Sequence, residues 1–238
     1  MNDLKNVYSD FLEDARHYIG SLPILAVAGI AYLMGDWILS AIAYRLPEGL
    51  NFLFGFARWF YRVATLTHFA TLMSQMFLRD RLVWSDLYRY DQVFFPPLTQ
   101  AFFVVYLVEL VLNRFIFPGF GMSSAFSLVM IWTIFTQPIY EIVYIAHETT
   151  ASLFSSLLDF WRVNIVPLGA FVVVGYVVYQ VLFPIHILSM AMVPFSVPFR
   201  LGLGILYAVY LFIKAILFRI LYFSNPRSRA FHANANRR

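Results

Sequence analysis

Between residues 19 and 44 the chain carries a single charged side chain, Asp36, in a run dominated by Leu, Ile, Ala and Val. A helix crosses roughly 30 Å of hydrocarbon with about 20 apolar residues, so this run is long enough to span a bilayer. Runs of the same kind recur at 98–117, 123–146, 164–183 and 201–223. Hydrophobic residues make up 61% of the chain and charged ones 13%, against about 45–50% and about 25% in soluble domains. The surplus apolar surface has to face lipid. There each backbone N–H and C=O needs a partner inside the protein, which a helix supplies along its own length. The expectation is an all-α, polytopic transmembrane helical bundle.

Six spans follow if residues 50–77 cross as well. That segment is ambiguous, because it holds Arg58, Arg62 and His68. Arg58 and Arg62 are four apart and share one helical face, so the segment can cross with that face turned into the protein. Residues 46–49 and 118–121 read as tight Pro-Gly turns, and Pro96-Pro97 suits the start of a helix rather than its interior. Residues 78–96 hold three Arg and three Asp between aromatic flanks suited to headgroup depth.

Three segments read differently. In residues 1–18, Leu4, Val7, Tyr8, Phe11 and Leu12 recur at helical spacing, while Asp3, Asp10, Glu13 and Asp14 argue against a signal peptide. This is expected to be an interfacial amphipathic helix. Residues 147–163 read as a second surface helix, with Leu153, Phe154, Leu157, Leu158 and Trp161 on one face. Pro184, Pro194 and Pro198 punctuate the connection to the last span, which is expected to dip into the interface. The organisation is thus 1–18 interfacial helix, 19–223 six-span domain and 224–238 basic, disordered cytoplasmic tail.

Orientation follows from the cationic loops. With the N-terminus inside, the inner segments hold Lys5, Arg16, Arg79, Arg81, Arg89, Arg162, Arg227, Arg229, Arg237 and Arg238, and the outer ones Arg45, Arg114 and Arg200. Both ends are expected in the cytoplasm.

Ionisable groups at membrane depth are costly, so Asp36, Arg58, Arg62, His68, Glu109 and Glu141 are candidate functional residues. Asp36 and Arg58 are placed to meet as a structural ion pair. Glu109 and Glu141 fall in opposite halves of their spans and cannot form a carboxylate pair. Spacings of six and seven place Glu141 and Glu148 on one helical face, with His147 adjacent. Lys214 and Arg219 are expected to snorkel from the last span. Arg79, Arg81, Arg89, Arg162, Arg227 and Arg229 are candidates for contact with anionic headgroups or a partner.

Other chemistries lack their residues. Without cysteine there is no disulfide, thiolate metal site or Cys nucleophile. No H-E-x-x-H, Ser-His-Asp order or Gly-rich phosphate loop is present, and neither His68 nor His186 has a facing His for haem. No catalytic residue, metal or cofactor is therefore assigned. The net charge of +4 rests on scattered arginines that form no stripe for phosphates, so nucleic acid is excluded.

Residues 81–86 (RLVWSD) before a span, Pro118-Gly119 after it, and 145–171 running through Ser155-Ser156 and Trp161-Arg162-Val163-Asn164 form a pattern. It resembles the YciC-type family of bacterial inner-membrane proteins over about residues 79–222, without that family's long loop between its first two spans. The resemblance implies a multi-pass helical fold in the cell inner membrane, in a family without an assigned activity. Arg162, Asn164 and a final apolar helix are faintly similar to ATP synthase subunit a, but residues 201–208 (LGLGILYA) lack the expected polar partners. The expected function is a non-enzymatic membrane subunit or scaffold, partnered by other membrane proteins or its own copies. The alternative is a small transporter or channel using the intramembrane ionisable residues.

Overall fold

The computed structural model describes residues 2–45, 47–112, 131, 132, 134–148, 150–191 and 193–224. The expected turn at 118–121, the start of the fourth span, Arg114, Arg227 and Arg229 lie outside them. Among the described residues the fold is all-helical. Three of the helices are long and apolar enough to cross a membrane, within Lys5–Ala43, Gln92–Val111 and Val197–Phe223.

Helix α1 spans Asn2–Tyr18 and passes through a 3-10 turn, Ile19–Ser21, into α2, Leu22–Tyr44. Pro23 sits in the first turn of α2, where its missing N–H costs nothing. Helix α3, Glu48–Arg79, stops at Asp80, which takes a left-handed conformation with φ 61°. Helix α4, Phe95–Val111, opens with its two prolines. Pro138 precedes the short α5, Ile139–Ile145. Helix α6, Thr150–Ala191, bends at Asn164, with φ −116° and ψ 17°. Pro167 explains the bend: its ring crowds the carbonyl four residues back and it has no N–H to donate. The Asn164 side chain donates to the Phe160 carbonyl at 3.2 Å. The expected surface helix and fifth span are therefore two limbs of one kinked helix.

The punctuated connection is a correction. α6 stays helical through Pro184, and α7, Val193–Phe223, contains Pro198 inside it. Pro194 lies in the first turn of α7, which tolerates proline. Arg200, read as a loop residue, is therefore on a helix.

α2 lies antiparallel to both α3 and α7. Gly29 and Gly204 face one another so closely that a Cβ on Gly29 would stand 2.3 Å from the Gly204 carbonyl oxygen. Tyr61 of α3 reaches over Gly35 and donates to the Tyr32 carbonyl at 3.0 Å. α1 buries Val7 and Tyr18, its Tyr8 hydroxyl donates to the Pro167 carbonyl at 3.2 Å, and Leu12 faces outward. Val7, Tyr8 and Phe11 of the expected stripe thus pack against the bundle, and Leu12 does not. Ile38 and Ile42 on α2 and Phe103, Tyr106 and Leu110 on α4 are exposed, as lipid-facing surface would be.

Candidate functional site

Polar groups gather at three levels of the bundle. At one end, residues 80–94 fold back over the last turns of α3. Leu82 N–H donates to Ser21 Oγ at 3.0 Å, and Asp91 N–H donates to Thr71 Oγ1 at 3.0 Å. His68 Nε2 lies 3.0 Å from the Leu87 carbonyl, which can only accept, so that nitrogen carries the proton. His68 thus anchors this loop to α3. Asp86 is fully buried; it accepts from Val83 N–H at 2.9 Å and faces Arg89 at 3.2 Å and Arg79 at 3.6 Å. Arg79 and Arg89 therefore brace the loop, while Arg81 is exposed and makes no ion pair among the described residues. Around them Leu78, Trp84, Val93 and Tyr88, the last 91% accessible, point outward. The loop presents apolar and aromatic tips beside cationic groups, the pairing suited to a membrane interface.

One and a half turns deeper lies a buried ion pair. Lys214 Nζ stands 3.1 Å from Glu141 Oε2, and the two residues are 5% and 0% exposed. The helix break at Gln137-Pro138 makes this possible: Lys214 donates to the Gln137 carbonyl at 2.9 Å, and Tyr210 donates to Gln137 Oε1 at 3.1 Å. Lys214 does not snorkel. It lies on the stripe of Tyr207, Leu211 and Phe218, which turns into the bundle. Glu141 Oε1 and the hydroxyl of Tyr144 have no hydrogen-bond partner, so the ammonium of Lys214 beside Oε2 is what compensates Glu141. The expected shared face of Glu141 and Glu148 is also corrected. α5 ends at Ile145 and His147 turns left-handed with φ 55°, leaving Glu148 to accept from Ser152 at 2.5 Å.

At the far end, Arg58 grips Asp36 through two parallel bonds, Nε to Oδ1 at 2.8 Å and Nη2 to Oδ2 at 2.7 Å. Arg62 Nε adds a third at 3.2 Å. This fork ties α2 to α3, with the arginines about one third and one half accessible. Partial exposure limits its worth: Asp36→Asn should lower stability by about 1–2 kcal/mol, the range for charge-assisted bonds reduced by solvent screening. Chemical denaturation in micelles checks this, and an unchanged midpoint would leave the fork without a structural role. Beside it, Arg200 is 3% exposed and its Nε and Nη2 meet no acceptor. Its guanidinium lies over the Trp37 ring, 4.8 Å from the centroid. Such a contact yields about 2 kcal/mol when desolvated, short of the several kcal/mol that burying an ion costs.

Of the remaining candidates, Glu109 is exposed on α4 beside Trp132, and Arg162 is exposed on α6. Among the described residues no group of three or more His, Asp or Glu could hold a metal ion. Reading the sequence missed the burial of Lys214, Arg200 and Asp86. The stripe spacing of Lys214 with Tyr207, Leu211 and Phe218 was the signal available for the first. No family model, curated protein or solved structure matches this chain.

Proposed function

We propose that the chain is a non-enzymatic subunit or scaffold of the cell inner membrane, with six spans and both ends cytoplasmic. The observation that carries this reading is that two of the three candidate intramembrane acids are engaged by cations of the same chain, Asp36 by Arg58 and Arg62 and Glu141 by Lys214. Groups so engaged hold helices together rather than offering binding capacity to a passing substrate. The resemblance to YciC-type inner-membrane proteins and the cationic bias of the inner segments support the topology. The contact surface is the loop carrying Arg81, Trp84 and Tyr88, which meets anionic headgroups and the exposed edge of a neighbouring membrane protein.

The test is gentle extraction of tagged chain from native membranes, with quantification of the membrane proteins recovered with it. Arg81→Glu combined with Trp84→Ala should cut that recovery several-fold and leave folding intact, because both side chains are exposed. Equal recovery from wild type and double variant would remove the loop from the interface.

One observation favours transport instead: the helix break at Gln137-Pro138 beside a buried acid, an arrangement used to expose backbone to cargo in transporters. Asp36→Asn separates the readings. Loss of flux in reconstituted vesicles with unchanged stability would favour transport; lost stability without any wild-type flux favours the scaffold.

A further inference from the structure

We propose that Arg200 anchors a phosphate-binding site at the far end of the bundle, where α2 meets α7. The side chain lies on the α7 stripe of Gly204 and Ala208, which faces α2, and this placement encloses it. The guanidinium carbon lies over the Trp37 ring, 4.8 Å from its centroid. The guanidinium N–H groups lie in its plane, and two of its nitrogens, Nε and Nη2, are buried without an acceptor. A planar fork of donors lacking a partner is the shape that a tetrahedral or planar oxyanion completes.

Among the described residues no carboxylate pairs with Arg200. Asp36, next to Trp37 on α2, already receives three hydrogen bonds from Arg58 and Arg62. Among the described residues the guanidiniums of Arg58, Arg62 and Arg200 thus stand near the one carboxylate of Asp36, which Arg58 and Arg62 occupy. Depth selects the anion. Nineteen residues of helix separate Arg200 from Arg219, whose Nη1 donates to Tyr18 at the loop end. At 1.5 Å per residue that is about 28 Å, close to the hydrocarbon thickness of roughly 30 Å. Arg200 thus stands where a bilayer places its phosphates, and a Trp beside it suits that depth. The ligand is a phosphate, either the diester of a lipid headgroup or a free oxyanion arriving from water.

Thermal unfolding of the full chain separates the two sources. Delipidated protein in neutral detergent is titrated with inorganic phosphate against sodium chloride at equal ionic strength. In parallel, nanodiscs of phosphatidylglycerol are compared with nanodiscs of a galactolipid that lacks phosphate. A rise of several degrees with inorganic phosphate identifies a free oxyanion; a rise confined to the phospholipid discs identifies the headgroup. Arg200→Gln should abolish the rise, Arg200→Lys should shrink it by losing the planar fork, and Arg45→Gln, an exposed arginine at the same end, should keep it. Wild type gaining nothing in either arm overturns the site, and that result needs no variant to fold. An equal rise in Arg200→Gln overturns it as well.

Discussion

Replacing Lys214 with Met should destabilise the bundle by about 3–5 kcal/mol, because it leaves a fully buried carboxylate without its counter-charge. For a chain of this size that is a fall of on the order of 10 °C in the midpoint of thermal unfolding. The substitution preserves volume and helix propensity, so packing contributes little to the loss. What disappears is the ammonium 3.1 Å from Glu141 Oε2 and its bond to the Gln137 carbonyl. The reverse half of the experiment carries as much information. Pairing Lys214→Met with Glu141→Leu removes both charges, and replacing a whole buried pair by apolar groups is commonly neutral or stabilising by about 1–4 kcal/mol. The double variant should therefore recover most of what the single one loses, short of the unpaired Gln137 carbonyl. A single variant as stable as wild type, or a double variant no better than the single, would show that Lys214 does not compensate Glu141.

The two ion-pair systems differ in kind because their surroundings do. Asp36 is held by more hydrogen bonds than Glu141, yet its arginines reach solvent or headgroups and can rehydrate when the acid is removed. Glu141 and Lys214 have no such outlet. The better-bonded fork is thus the smaller loss on mutation, and the poorly bonded buried pair the larger one.

The same distinction explains what could be read from the sequence. The meeting of Asp36 and Arg58 was legible because the two lie equally far on either side of Pro47, and an antiparallel hairpin brings such positions level. The apolar run at 19–44 was legible from its length, and α2 occupies nearly all of it. Lys214 was misread because snorkelling depends on the rotational phase of its helix, which its neighbours set and a charge count ignores. Arg200 was misread through its prolines: Pro194 and Pro198 read as punctuating a connection, but α7 starts beside the first and runs through the second. Glu148 was misread because nothing in a helical wheel marks where the helix ends, and His147 ends it. Asp86 looks like any acid of a charged loop until Ser21, Thr71 and His68 draw that loop onto the bundle and bury it.

Gly204→Ala should force α2 and α7 apart, a single added carbon with an effect out of proportion to its size. Its Cβ would stand 2.7 Å from Ile30 Cα and 2.8 Å from Ile30 N. Both are backbone atoms that no rotamer change can move. Overpacking of this kind costs about 1–3 kcal/mol where side chains can adjust, and here the helix itself has to give. In lipid no hydrophobic force presses helices together, so their association rests on close contact, which small residues permit. Separating the pair would also pull Tyr32 from Tyr207, whose rings lie 5.2 Å apart, and Trp37 from Arg200. Gly202, two residues away and on the opposite side of the helix, is the internal control. A Cβ there meets nothing within 4 Å, and Gly→Ala in an open helical position gains about 0.5–1 kcal/mol from backbone entropy. The two alanine variants should therefore move stability in opposite directions. The absence of native cysteine allows a direct distance readout: Tyr32→Cys with Tyr207→Cys, joined by a short bifunctional thiol reagent, should cross-link efficiently in the Gly202→Ala background and poorly with Gly204→Ala. Equal stability and equal cross-linking in the two backgrounds would mean that α2 and α7 do not approach at Gly29 and Gly204, and the enclosure of Arg200 between them would fall with that contact.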